Sequence, residues 1–465
     1  MILSTLIFTL AHIGSTPQTP GQEPVPKVPA PRVQDAVTPP KIQIPSSTAA
    51  SEIPNSPLSS DEAARIALRL QPSLGDALGA LQAAQGKTRQ VGAGLNPQFV
   101  VGAGYDQISS ISGPTAATQA PSGLGPAGVS PVYRYSSGAA LRQLLFDFNQ
   151  TRNAVRQSRA LEGVAAANLT KAQSDLVLAV KSAFYNLTNA QRLVRVNEQN
   201  VENRQRQLDL TTARLGSGIG LPSDVVTAET SKSQAVLALT VARDAELQAR
   251  VTLLQLIGVN PETPITVTDV AEKPLVAGGP QTLVETALRA RPEVQSAVQA
   301  LKASQFGLSA ARALNLPAIY AAVSAGAAGP DIPLKDNAVA LGVGVQFPLY
   351  DGGARSGAVQ QAKGQIKTAQ SDLQTALLSV RSDVISAYLG LASAEQRVAV
   401  VETEVANAQE GVRVAEGRYA AGLGLFQDIT TAQSLLLSAR TDQSTVQSNL
   451  DLARTRLRHA IGQML

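Results

Sequence analysis

The sequence contains no cysteine and no tryptophan, and its two histidines are His12 and His459. Without cysteine, the chain can form no disulfide, no thiolate nucleophile, no Cys-ligated metal site and no lipid-modified N-terminal Cys. Two histidines, one of them in an apolar N-terminal run, argue against a catalytic triad or a multi-histidine metal site. We therefore expect neither an enzyme nor a bound cofactor or metal.

Aromatic and charged residues are also scarce, at 3% and 16% of 465 residues. Abundant Ala, Leu, Gln, Ser and Val favour close-packed helices over one bulky core. The net charge is +4, but Lys and Arg alternate with Asp and Glu and no basic run reaches five residues. This pattern is typical of a solvated surface, so we expect no nucleic-acid partner.

The N-terminal region differs from the rest of the chain. The apolar run at 2–14 has the length of a secretory signal core, and we interpret residues 1–15 as a signal peptide, although no basic residue follows Met1. Residues 16–57 contain eleven prolines and predict a flexible or polyproline-like linker. No later apolar run reaches the length of a membrane helix. Any membrane crossing would therefore need strands in a closed barrel.

The chain after residue 58 consists of two copies of one unit. Matched positions of the two copies are 220 residues apart before a Gly- and Pro-rich loop at 112–131 and 204 residues apart after it. The loop is found in the first copy alone and accounts for the difference. We predict a first repeat over 59–258, an inter-repeat linker over 259–279 and a second repeat over 280–463. Three segment pairs share the 204-residue offset: RLGSGIGLPSDVVTAE (214–229) with RYAAGLGLFQDITTAQ (418–433), LFDFNQTRNAVRQSRA (145–160) with LYDGGARSGAVQQAKG (349–364), and LLQLIG (253–258) with LRHAIG (457–462).

Each repeat predicts a helix, two strands, a long helix, a turn and a further helix. Residues 147–215 contain no proline and keep helical apolar spacing, which predicts a helix about 100 Å long. Globular helices are rarely so long, so we expect a coiled-coil or tunnel element. The remaining helices are predicted at 59–95, 223–258, 280–313, 351–420 and 427–462.

Four strands are predicted from period-two alternation. In the last of them, Val339, Leu341 and Val343 share one face, and Ala340 and Gly342 share the other. A lipid-compatible face opposite a small or polar face favours a membrane barrel, although a soluble sandwich remains an alternative. Four strands cannot close a barrel, so several chains must share one sheet, and a trimer would supply twelve strands. The predicted strands cover about 97–109, 132–146, 316–327 and 338–350.

The duplicated unit, together with the segments FPLYDGGARSGAVQQA (347–362) and RYAAGLGLFQDITTAQ (418–433), resembles the TolC-like outer-membrane efflux protein family over roughly 59–463. The resemblance implies a mainly α fold with a membrane β-barrel portion. It implies a homotrimer with a 12-stranded barrel in outer-membrane lipid and an α-helical barrel in the periplasm. It further implies a passive exit duct for efflux or type I secretion, which docks to a periplasmic adaptor and an inner-membrane pump.

The resemblance places the Gly-rich turns at the periplasmic tip, where an adaptor would dock. The glycines are in any case expected to supply the left-handed backbone that helix ends need. The first repeat departs from the second at the strand-to-helix corner, where LFDFNQTR replaces LYDGGARS. The candidate docking residues are Arg214, Gly218, Gly220, Arg418, Tyr419, Gly422 and Gly424.

Four charged residues are candidates for lining a pore. Asp224 and Asp428 occupy matched positions after the turns, and in a trimer they would supply six carboxylates to a cation-favouring constriction. An equally weighted alternative is that each acidic residue stabilises a helix N-terminus. Arg134 and Arg142 fall on the predicted lumen face, where they would tune pore charge or simply occupy a polar interior.

The main rival to the channel hypothesis is a coiled-coil structural or envelope-spacer protein. It would account for the helices and the low aromatic content. It does not explain four alternating strands at matched points of two repeats, so the channel interpretation is favoured.

Overall fold

A computed structural model describes residues 57–111, 129–272, 278–329, 332, 334 and 336–463. The predicted signal peptide, residues 16–56 of the predicted linker and residues 112–128 of the extra loop lie outside the described residues. The elements are α1 (Ser60–Leu70), α2 (Ser73–Gly92), β1 (Gln98–Ile111), β2 (Val129–Phe146), α3 (Gln150–Gly216), α4 (Pro222–Ile257), α5 (Pro280–Ala290), α6 (Pro292–Ala313), β3 (Ala318–Gly329), β4 (Asp336–Gln346), α7 (Ala354–Ala420) and α8 (Phe426–Ala460).

The first helix of each half is divided in two. We predicted one helix over 59–95 and one over 280–313, but the chain breaks before Pro72 and before Pro292. Gln71 and Arg291 adopt extended backbones, with ψ of 115° and 128°. The cause is the proline ring, which disfavours helical geometry in the residue before it.

The two long helices contain 67 residues each, which corresponds to about 100 Å at the α-helical rise. Helices α2 and α4 pack against α3, while α8 packs against α7 and also contacts α3. Helix α6 contacts both long helices and so joins the two halves. The predicted mainly helical fold with a small antiparallel sheet is confirmed.

Two hydrophobic clusters occur at matched positions of the two halves. In the first, α1 covers α3 and α4; in the second, α5 covers α7 and α8. The buried pairs Val180 and Val384, Leu253 and Leu457, and Ile257 and Ile461 each differ by 204 positions. The same side chains therefore hold the corresponding helices together in both copies.

The four strands form one antiparallel sheet in the order β1-β2-β3-β4. Phe99 pairs with Leu141, Leu141 with Val323, and Val323 with Leu341, so these four side chains share one face. The row three residues away places Gly102, Gly138, Gly326 and Ala338 on the other face. Strand β4 ends at Gln346, before the predicted end at 350, because Pro348 has no N–H to donate to a ladder.

The strand-to-helix corners have the same backbone in both halves despite their different sequences. Gly352 and Gly353 have positive φ angles of 65° and 92°, and the matched Phe148 and Asn149 have φ angles of 51° and 66°. A left-handed phenylalanine is strained, and its ring stacks edge-on against Phe146 at 4.7 Å. The missing glycines of the first copy therefore leave the path of the chain unchanged.

Among the described residues, none of the helices combines the length and the apolar character needed to cross a membrane.

Candidate functional site

Two glycine-containing turns join the long helices to α4 and α8. Gly218 and Gly422, at matched positions, both have φ of 75°. A side chain at Gly220 would lie 2.6 Å from the Leu215 amide nitrogen, which leaves no room for one. The glycines thus meet a backbone requirement of the turns, as expected for helix C-termini.

The two turns are tied to each other by three of the predicted residues. Arg214 donates a hydrogen bond to the Tyr419 carbonyl oxygen at 2.9 Å, and its guanidinium lies 4.4 Å from the centre of the Tyr419 ring. The Tyr419 hydroxyl donates to Asp224 Oδ2 at 3.3 Å. Burial and the charge of Asp224 raise the pKa of the Tyr419 hydroxyl, against the opposing effect of Arg214. The hydroxyl therefore remains a donor across the physiological range.

The matched carboxylates make different contacts. Asp224 bonds across the repeats to Tyr419, whereas Asp428 Oδ2 accepts the Leu425 N–H at 3.1 Å and caps its own helix, α8. Asp428, Arg418 and Gly422 are exposed, and Gly424 is partly buried. The helix-terminus interpretation is thus observed for Asp428, and a constriction formed by both residues stays a proposal.

Replacing Tyr419 with Phe should loosen the paired turns. The ring would keep its packing against Phe426, but Asp224 would lose its donor, and we expect the turn region to become less stable by about 1–2 kcal/mol. Amide hydrogen exchange of residues 214–224 measures this effect. Tyr388→Phe on the same helix is the matched control, because the Tyr388 hydroxyl has no hydrogen-bond partner among the described residues. Equal exchange in the two variants would contradict the prediction.

The two faces of the sheet differ in character. The face containing Leu341 leaves large apolar side chains in contact with solvent: Val339 and Leu341 are each 80% exposed and Phe99 is 67% exposed. The opposite face carries mainly glycine, alanine and serine along a concave surface, together with Val100 and Arg142. One exposed apolar face is what a strand in contact with lipid requires.

The predicted lumen arginines lie on β2. Arg142 pairs with Ala322, on the small-residue face, and its guanidinium lies 4.2 Å from the centre of the Tyr320 ring. The backbone of Arg134 pairs with Asp106, and the Arg134 side chain lies outside the described part of the chain. Arg142 is therefore placed on the predicted face, and its role in a pore stays a proposal.

A buried ionic cluster, which the sequence analysis did not single out, joins the inter-repeat linker to α3. Lys181 is 2% exposed and lies 2.5 Å from Asp61 and 3.4 Å from Glu272. Glu272 also accepts the Tyr185 hydroxyl at 2.6 Å and pairs with Arg458 of α8 at 2.9 Å. We call these five residues the Glu272 cluster.

The backbone of Glu272 also forms hydrogen bonds with side chains of α8, in the second half. The Glu272 N–H donates to Asp451 Oδ1 at 2.9 Å, and Arg454 donates to the Glu272 carbonyl oxygen at 3.0 Å. The cluster therefore connects α1, α3 and α8 through one linker residue. The sequence signal for it was Lys181, which interrupts the apolar stripe of Leu176, Val180 and Phe184.

The family described as outer membrane efflux protein matches residues 63–259 and 283–463. The outer membrane efflux protein BepC of Brucella suis is 29% identical over 233 residues, which cover 49% of this chain and 50% of the relative. The chain thus spans about half the length of that relative.

Two further comparisons cover more of the chain. The alkaline protease secretion protein AprF of Pseudomonas aeruginosa is 25% identical over 344 residues, 70% of this chain and 69% of the relative. The crystal structure of the outer membrane protein VceC of Vibrio cholerae superimposes with a TM-score of 0.74 at 18% identity, over 87% of this chain and 96% of that one. The structural likeness shows a common fold.

Proposed function

Since this chain belongs to the outer membrane efflux protein family, we propose that three copies form a passive exit duct for efflux or type I secretion. The family and the fold place the chain in the bacterial outer membrane, extending into the periplasm. Its relatives are named as outer-membrane efflux and secretion proteins, which is consistent with the expectation of a protein that is not an enzyme.

The main observation that supports this proposal is the four-stranded sheet. Its apolar face is exposed, and within the described residues neither β1 nor β4 has a strand partner on its outer side. Unpaired backbone groups are too costly in lipid, so the outer edges must pair with other copies of the chain. Three four-stranded sheets would give a 12-stranded barrel, wide enough for a pore lined by the small-residue face.

The helices support a shared tunnel wall. Apolar side chains lie exposed along α4 and α7, with Leu237 at 65% and Val400 at 67%. Neighbouring copies in a trimer would cover such side chains, and burial of apolar surface stabilises the assembly. The long helices would then carry the duct about 100 Å from the sheet into the periplasm.

We infer candidate cargo from the names of the relatives, and a docking partner from the exposed turns at the ends of the long helices. One relative is named as a toluene efflux pump protein and another as a protease secretion protein, so both small molecules and proteins are candidate cargo. We assign the paired turns, with their exposed Arg418 and Gly422, to docking of a periplasmic adaptor that connects the duct to an inner-membrane pump. Energy coupling would come from that pump.

Planar-bilayer conductance of the detergent-purified protein, with its mass measured in parallel, tests the proposal. We expect discrete conductance from a trimer. Asp224→Asn with Asp428→Asn should lower its preference for cations. Asp372→Asn with Asp442→Asn, on exposed sites of α7 and α8, is the matched control and should leave selectivity unchanged. A monomer without conductance would refute the duct, and unchanged selectivity in a conducting trimer would refute the constriction alone.

A further inference from the structure

A groove of about 600 Å³ lies between α7 and α8, with Leu178 of α3 on one side. Its lining on α7 runs from Asp383 to Arg397, a distance of about 21 Å at the α-helical rise. Small residues, including Gly390 and Ala453, form part of the lining and leave space between the helices. The groove is therefore long and open enough to admit an extended ligand.

Positive charge exceeds negative charge in this groove. Arg291, Arg397 and Arg456 line it, whereas Asp383 is the acidic residue in the lining. Arg291 pairs with Asp383 at 3.2 Å and with Glu293 at 3.0 Å, so it adds no free positive charge and the excess rests on Arg397 and Arg456. Arg397 and Arg456 are exposed and have neither a hydrogen bond nor an ion pair within the described ranges. Two guanidinium groups thus remain available to a ligand.

Neutral donors line the same groove. The hydroxyls of Ser386 and Ser393 and the amide of Asn449 are not engaged by other groups in the part of the chain that the structure describes. Guanidinium, hydroxyl and amide N–H groups are the donors that recognise carboxylate and phosphate oxygens. The donor set therefore matches an oxyanion rather than a cation or an apolar molecule.

Comparison of the two repeats shows that the fold does not require these two arginines. Arg397 and Arg456 correspond, at the 204-residue offset, to Leu193 and Thr252 of the first copy. Helices α3 and α4 pack together as α7 and α8 do, without a cation at either position. The fold does not need the two charges, so a ligand can account for them.

We propose that this groove, defined by Arg397, Arg456, Ser386, Ser393 and Asn449, binds an elongated anion that carries carboxylate or phosphate groups. The guanidinium groups contact the charged ends, and the serine and asparagine side chains donate to the oxygens between them. The site is independent of whether the chain conducts, so it can be tested separately from the duct.

Calorimetric titration of the full chain in detergent with inorganic tripolyphosphate, at constant ionic strength, tests the site. We expect saturable binding of one tripolyphosphate per protomer and weaker binding of orthophosphate. Arg397→Gln with Arg456→Gln should raise the dissociation constant at least about tenfold, because charge-assisted hydrogen bonds are lost. Arg397→Lys with Arg456→Lys should give an intermediate loss, since lysine keeps the charge but not the planar fork.

Lys363→Gln with Lys367→Gln is the matched control, because both residues are exposed on α7 at least four helical turns from the groove and the net charge changes equally. We expect this variant to bind within about twofold of the unaltered protein, as distant exposed charges are screened. Absence of saturation, or equal weakening in the control, would overturn the proposal. Loss of the oligomer in the Gln groove variant would also overturn it, since the arginines would then bind an acidic surface of a second copy.

Discussion

Replacing Glu272 with Gln is expected to lower the free energy of unfolding by about 1.5–3 kcal/mol, because it removes a buried carboxylate shared by Lys181 and Arg458, while Lys181 keeps its ion pair with Asp61. Lys181 and Arg458 both pair with the Glu272 carboxylate, and Lys181 is almost fully buried. Glutamine keeps the volume but not the charge, so the loss would report on ion pairing rather than on packing. The measurement is the midpoint of thermal and denaturant unfolding of the purified protein.

Glu402→Gln provides the matched control for the Glu272 cluster. Glu402 is exposed on α7 and has no ion pair among the described residues. A surface change of this kind should alter stability by no more than about 0.5 kcal/mol. Similar midpoints for the two variants would show that Glu272 contributes no more than a surface carboxylate.

Replacing Leu341 with Arg is expected to prevent stable insertion in the outer membrane. Leu341 lies on the exposed apolar face of β4, and an arginine facing lipid near the bilayer centre costs about 2–4 kcal/mol. Three copies in a trimer would multiply that cost. The measurement is the amount of heat-resistant trimer recovered from outer-membrane fractions.

Ala340→Arg tests the same strand from its other face. Ala340 pairs with Ser324 and lines the concave small-residue surface, where a charged side chain would reach the aqueous pore. We expect this variant to insert and assemble, with altered conductance. If both variants inserted equally well, the assignment of the Leu341 face to lipid would be wrong.

The helical part of the fold could be predicted from the sequence because its signals are local. Proline-free apolar periodicity predicted α3 and α7 to within a few residues of Gln150–Gly216 and Ala354–Ala420. The breaks at Pro72 and Pro292 also have a sequence signal in the prolines themselves, but apolar spacing continues across both and favoured one continuous helix in each half. The rule that proline disfavours helix in the preceding residue was the stronger one.

The contacts of the site were less accessible to sequence reasoning. Arg214, Tyr419 and Asp224 were each singled out, but their bonds depend on two turns 204 residues apart meeting in space. The Glu272 cluster is confined to one copy, since the positions matched to Lys181 and Tyr185 are Ile385 and Leu389. Repeat comparison finds what the copies share, so it was insensitive to a cluster in which they differ.

The equal length of α3 and α7 constrains how this protein can change its reach. Deleting seven residues from α3 alone would withdraw its turn by about 10 Å and separate Arg214 from Tyr419. A matched deletion in both long helices and in the paired α4 and α8 would keep the turns level. Insertions and deletions should therefore survive in evolution as coordinated sets of whole helical turns, so that the distance from the sheet to the turns changes in steps.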